Sequence, residues 1–239
     1  MVAFGSMSEG NLSYSLEGSV AVVRMDDGKA NALGVGMIDA LQGALARAEN
    51  EAAALVLVGR PERFCAGFDL KVMMSGPENA RALLERGSEL FLKLYATPIP
   101  FVAACTGHAL AGGALVLCTA DVRIGADGPY KIGLNEVAIG LPVPVLAMEL
   151  ARSRLITTEL ARATLFAEQF DPQGAARVGF LDRVVPAGDL VEAAKVEAAR
   201  LGAHSRRAYA ATKERLRSHT IELIRSTLSS DMDRLLSAG

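Results

Sequence analysis

The sequence has no tryptophan, only 5% aromatic residues, and three cysteines, Cys65, Cys105 and Cys118, in a chain of 239 residues. Their odd number and the lack of any CxxC spacing argue against a disulfide framework and a cysteine zinc site, and suit a reduced, cytoplasmic setting. Neither sign of charge prevails. With 25 basic and 27 acidic side chains the net charge is −2, so nothing marks a surface made for nucleic acid or an anionic membrane. The basic run through His204, Arg206, Arg207, Lys213, Arg215 and Arg217 has Tyr209 as its sole aromatic, and reads as a solvated helix face. Also missing are GxxxxGK[ST], GxSxG and HExxH, and the GVG at 34–36 lacks the third glycine and preceding strand of a dinucleotide-binding turn. No metal site is expected. The start, MVAFGSMSEG, lacks the charged segment and apolar run of a signal peptide; Met7 reads as a natural start, and residues 1–10 as a tag remnant or disordered N-terminus. The partners left are a small molecule and a second copy of the chain.

What is present is apolar and rich in glycine. At 51% hydrophobic content the chain can bury one substantial core. Strand character is expected at 19–25, 53–59 and 122–126, with a last short strand within 180–186; helices are expected at 34–50, 77–95 and near 145–165. The long apolar stretch FVAACTGHALAGGALVLCTA, 101–120, is broken by Thr-Gly-His and by Gly112 and Gly113, which predicts a buried strand turning into a buried helix in place of a membrane span. Residues 188–236 read as two helices. Strands alternating with helices up to about 185, then helices alone, predict a largely parallel α/β core over 11–195 and a helical region over 196–239.

Three stretches carry possible chemistry. In FCAGFDLK, 64–71, a loop turns through Gly67 and leaves the Phe68 N–H free to point outward. In TGHALAGGALVL, 106–117, the glycine pair opens an apolar helix whose first N–H groups lack intrahelical acceptors. One donor from each turn can hold an oxygen on which negative charge develops. In GLNEVAIGLPVP, 133–144, Glu136 is the sole charge, and its neighbours Val137, Ile139 and Leu141 are expected to disfavour ionisation and so raise its basicity. Cys65 has no basic partner nearby in the sequence and reads as a small buried residue, and His108 as one bonded to backbone.

With NAL at 31–33, FCAGFDLK at 64–71, GHALAGG at 107–113, AD at 120–121, GLNEVAIGLP at 133–142 and FDPQGAARVGFLDRVVP at 170–186, the chain resembles the crotonase superfamily, the enoyl-CoA hydratase and isomerase family, over roughly 12–215. The resemblance implies a crotonase-like spiral of ββα repeats with a helical C-terminal trimerisation region, assembled as a trimer or a dimer of trimers. It implies an acyl-CoA thioester as substrate, with CoA as part of that substrate and no separate cofactor. The thioester carbonyl would be held by the N–H groups of Phe68 and Gly112, the adenine would lie near Ala66 and Leu70, and the phosphates would meet Lys29 and Lys71. Hydratases of this family carry two glutamates; here Leu115 stands at the first position and Glu136 at the second. One carboxylate suffices to move a double bond from the 3 to the 2 position, whereas adding water is served by two. Isomerisation is therefore the expected reaction, with Glu136 as proton shuttle. The alternatives are a hydratase with a replacement for the missing acid and a CoA-binding protein without catalysis.

Overall fold

The computed structural model describes residues 7–237. Its central feature follows from two runs with no polar side chain, β4 (Ala54–Val58, ALVLV) and β6 (Phe101–Cys105, FVAAC), each buried at every position. Successive strand residues point to opposite faces, so such runs require a cover on both sides. Leu55, Leu57, Ala103 and Cys105 face one core, and Ala54, Val56, Val58, Val102 and Ala104 face another. The sheet around them has seven strands. β1 (Met7–Glu9), β2 (Leu12–Glu17) and β3 (Val20–Met25) are antiparallel neighbours; β3, β4, β6, β8 (Val122–Ala126) and β10 (Arg183–Val185) then run parallel.

After each of β4, β6 and β8 the chain leaves this sheet and adds a short strand to a second, parallel sheet: β5 (Glu62–Cys65), β7 (Gly107–Leu110) and β9 (Ile132–Gly133). A helical segment then returns it. After β5 come α2 (Leu70–Met73) and α3 (Pro77–Ala96), after β7 comes α4 (Gly112–Thr119), and after β9 a single turn at Val137–Ile139 and α5 (Val145–Arg152). This is the expected strand–strand–helix repeat. The stretch 101–120 holds the expected strand and helix with a second short strand between them, and among the described residues no helix is long and apolar enough to cross a membrane. The short strands β5, β7 and β9 and the polar strand β2 lie below what a run of residues can signal, since their order comes from pairing with distant segments.

Further helices are α1 (Val35–Glu51), which joins β3 to β4, then α6 (Leu160–Thr164), α7 (Pro172–Val178), α8 (Leu190–Gly202) and α9 (Arg206–Ser237). Two expected boundaries need correction. Residues 1–6 lie outside the described residues, but Met7–Glu9 pair with β2 and so belong to the sheet. The division at 195/196 cuts through α8, whose Leu190, Ala194 and Ala198 cover the outer face of β3, β4, β6 and β8. The core therefore continues through Gly202, and α9 alone follows it. α9 lies against α3 and α5 of its own chain.

The reading of the basic run as a solvated face holds for His204, Arg206, Arg207 and Arg215, which are exposed, and is corrected for the other two. Lys213 and Arg217 of α9 turn inward, with side chains 6% and 3% exposed, and pair with Asp121 at 2.6 and 2.7 Å. Arg217 donates to Tyr95 O and Thr119 O, and Arg154 donates to Cys118 O and Ala120 O. Cations thus close the C-terminal end of α4, where the last carbonyls lack partners and the helix dipole is negative.

Candidate active site

The site begins with Asn31, fully buried and with φ 53°, a left-handed conformation that asparagine tolerates better than most residues. Its side-chain amide donates to Met25 O, Arg63 O and Phe64 O at 3.1–3.2 Å, and its Oδ1 accepts from Asp27 N–H at 3.0 Å. It thereby ties the loop before α1 to the end of β5. Beyond this knot the two segments pair further. Ala66 N–H donates to Ala30 O, Leu33 N–H to Gly67 O and Asp69 N–H to Leu33 O. This edge uses the donors on either side of Phe68 and leaves the Phe68 N–H facing away. Asn31→Ala would strand three carbonyls and one N–H; we expect it to cost about 3 kcal/mol, read by urea denaturation.

The second donor comes from the start of α4. A β-carbon at Gly113 would fall 2.0 Å from Cys65 O, so only glycine lets the helix press against the 64–68 loop. Gly67 has φ +92°, and a β-carbon there would lie 3.1 Å from Gly112 N; one at Gly112 would lie 3.6 Å from Phe68 N. The two turns are in contact, and among the described residues neither the Phe68 nor the Gly112 N–H has an acceptor. Between them, Ala111 has φ 48° and ψ −120°, strain carried by a residue with a side chain. That ψ sets the direction of the Gly112 N–H. The conformation is held by Ala111 N–H to Gly133 O and Leu115 N–H to Ala111 O, both 3.0 Å.

Gly133 also brings in the acid, because Glu136 follows it by three residues. Glu136 is 8% exposed and among the described residues has no ion pair, its Oε2 being buried without a partner; the neighbouring Asn135 Oδ1 is likewise unpartnered among them. Burial raises the Glu136 carboxyl above its ordinary value, opposed in part by a bond to its own backbone. The direction agrees with expectation, but the cause does not. Val137, Ile139 and Leu141 are 43%, 53% and 40% exposed, so the desolvating surroundings come from elsewhere in the fold. A tight turn, with Ile139 and Leu141 N–H bonded to Glu136 O, faces those side chains outward while the carboxyl turns in.

Leu115, one turn into α4, lines a cavity of about 40 Å³ with the Phe68 ring. Leu84 and Phe91 of α3, Leu146 of α5 and Met232 of α9 form its walls. Two larger concavities, of about 460 and 560 Å³, are lined by Asp121, Tyr209 and Lys213 and by Tyr14, Asp39 and Arg47. Neither includes Phe68, Gly112 or Glu136, so volume does not mark this site. Lys29, Ala66, Leu70 and Lys71 lie on the outer side of the 64–71 loop and its partner segment, all exposed, with Leu70 at 64%. Cys65 is buried and its thiol is pushed up to about 12 by desolvation, which removes it as a nucleophile. His108 accepts from Lys131 N–H at 3.0 Å, a backbone bond as expected. Among the described residues no cluster of metal ligands occurs. Asn31, Ala111 and α9 were not legible as site elements: the first stands in the NAL motif, but the other two carry no local signal.

A family model described as enoyl-CoA hydratase/isomerase matches residues 15–235. The chain belongs to that family. Human mitochondrial enoyl-CoA delta isomerase 1 is 33% identical over 172 residues, which is 70% of this chain and 57% of the relative, so the match spans little more than half of that protein's length. A probable enoyl-CoA hydratase from Rhodobacter capsulatus is 32% identical over 216 residues, covering 87% of this chain and 81% of the relative. Among solved structures, an enoyl-CoA hydratase/isomerase family protein from Pseudomonas syringae superposes with a TM-score of 0.92 at 39% identity, covering 94% of this chain and 98% of the other. Human mitochondrial delta3-delta2-enoyl-CoA isomerase superposes at 0.91 with 29% identity, covering 95% and 91%. The fold is that of the crotonase superfamily, and relatives of this family member carry the names of both reactions.

Proposed function

We propose that this family member moves the double bond of an acyl-CoA thioester from the 3 to the 2 position. The observation that carries the reading is a buried carboxylate, Glu136, without an ion pair among the described residues, three positions after Gly133, whose carbonyl holds Ala111 of a turn pair that presents two unoccupied N–H donors; the resemblance adds that Leu115 stands at the position of a second acid. The thioester oxygen is held by Phe68 and Gly112 N–H. Glu136 takes a proton from C2, the electron pair moves onto the conjugated oxygen as a dienolate, and the same carboxyl returns the proton at C4. Each donor contributes about 3 kcal/mol to the transition state, because it is aimed before charge develops and has no protein acceptor to give up. CoA lies along the outer side of the 64–71 loop, with adenine near Ala66 and Leu70 and phosphates at Lys29 and Lys71, whose ammonium groups take no ion pair among the described residues.

The fate of water separates this from hydration. Of the side chains lining the Leu115 cavity only Asp231 is a carboxylate, and its Oδ2 is engaged by Val145 N–H at 2.7 Å. Side-by-side assays of 3-hexenoyl-CoA isomerisation and crotonyl-CoA hydration test the reading. We expect the double-bond shift to exceed hydration by at least about 10²-fold, the usual reach of one missing acid or base. Fast hydration without a shift would reverse the order, and tight binding with neither reaction would make the protein a CoA binder. We also propose a homo-oligomer, a trimer or dimer of trimers, a reading supported by Leu165, Phe166 and Leu216, apolar yet 65%, 69% and 75% exposed.

A further inference from the structure

The cavity behind Phe68 has two polar groups in otherwise apolar walls. Ser88 is 6% exposed and lines the cavity, and its hydroxyl has no hydrogen-bond partner among the described residues. Other helical hydroxyls turn back onto their own helix, Thr119 donating to Val116 O and Thr164 to Leu160 O, each at 2.7 Å, whereas that of Ser88 stays open to the cavity. Asp231 reaches the same cavity from α9 and uses Oδ2 to cap Val145 N–H, leaving Oδ1 without a donor among the described residues. The cavity shares Phe68 and Leu115 with the proposed site. A β-carbon at Gly87 would fall 2.2 Å from the Phe68 ring, which places that ring against α3 one position before Ser88.

The geometry points to a short acyl group that ends in a hydroxyl, bound with its terminus between Ser88 and Asp231. About 40 Å³ leaves room for two or three heavy atoms, which limits the tail beyond the reacting carbons. An alkyl end would bury both polar groups unpaired, the situation in which a site built for hydrogen bonds rejects an apolar analogue. A terminal carboxylate would meet the Asp231 charge, and an ammonium, though paired with Asp231 and Ser88, would leave its third N–H donor without an acceptor among Leu84, Phe91, Leu146 and Met232. A hydroxyl can donate to Asp231 and accept from Ser88 at once.

This inference rests on the proposed acyl-CoA site, but its test avoids the Glu136 chemistry. Saturated thioesters have no double bond to move, so calorimetry would compare 4-hydroxybutanoyl-, 5-hydroxypentanoyl- and 6-hydroxyhexanoyl-CoA with the alkanoyl-CoA of equal heavy-atom count, on the full chain and on Ser88→Ala. At the best length, the hydroxylated ligand is expected to bind about tenfold more tightly to the unaltered protein, with the ratio falling several-fold in Ser88→Ala. Asp231→Asn, which keeps an oxygen for Val145 N–H, should narrow it as well. Equal or tighter binding of the alkanoyl partner at every length would overturn the inference, as would a ratio unmoved by Ser88→Ala; either is what an ordered water between the two groups predicts. A hydroxyl preference in a protein that does not isomerise 3-hexenoyl-CoA would instead support the pocket and remove the isomerase reading. No acyl-CoA binding by the folded protein would overturn both.

Discussion

Glu136→Gln should lower the rate of the double-bond shift by about 10²–10⁴-fold and leave CoA-thioester affinity nearly unchanged. Glutamine keeps the size and most of the polarity of the side chain but cannot carry a proton from C2 to C4. The pH dependence supplies a second check. The reacting form is the carboxylate, and burial holds its pKa above the ordinary 4.5, so the acid limb of kcat/KM should lie above pH 4.5. Stability should move the opposite way to activity. For an acid whose folded pKa is raised, the stability it contributes is complete below the unfolded value and is lost as pH climbs through the folded one. At neutral pH the native protein therefore bears the cost of a buried charge, which glutamine removes. Glu136→Gln should melt at a higher temperature than the unaltered protein at pH 7.5, and the difference should close near pH 4. Unchanged turnover would take Glu136 out of the mechanism, and an unchanged melting temperature would mean that its carboxylate is well solvated.

Asp121→Ala is expected to have the largest effect on folding, about 3–5 kcal/mol, measured as a drop in the urea midpoint with the slope unchanged. Asp121 faces two buried cations and also accepts from Phe101 N–H at 2.8 Å. Removing it leaves Arg217 charged and enclosed close to Arg154, and takes from Lys213 the anion that offsets its desolvation. Most of the loss is the cost of those stranded charges. The double variant Asp121→Asn with Lys213→Met should recover part of it, since one cation leaves with the anion. A cost below about 1 kcal/mol for Asp121→Ala would imply that water reaches the cluster freely.

How much of the site could be read from the residues differs from one to the next. The Phe68 and Gly112 turns were legible because glycine at a close approach has a local cause: a β-carbon at Gly113 would fall 2.0 Å from Cys65 O, closer than any real contact. Glu136 was legible as a lone acid among apolar residues, yet its environment was misread. Sequence neighbours in a tight turn point different ways, so Val137, Ile139 and Leu141 reach solvent while Glu136 is buried. Lys213 and Arg217 were misread for a related reason. A basic helix looks solvated until its partner is known, and Asp121 lies 92 and 96 residues away.

By itself, then, the sequence determined which segments are buried on both faces, where the chain must turn, and which chemical groups are available: a lone acid in an apolar stretch and two glycine-opened turns. These depend on side-chain size, polarity and backbone freedom, which act over a few residues. Tertiary structure decided which way those groups face, how Ala111 aims the Gly112 N–H, and that α9 closes both the cation cluster and the cavity holding Ser88. Such outcomes depend on packing between segments remote in sequence, and no local pattern encodes the surface a residue will meet.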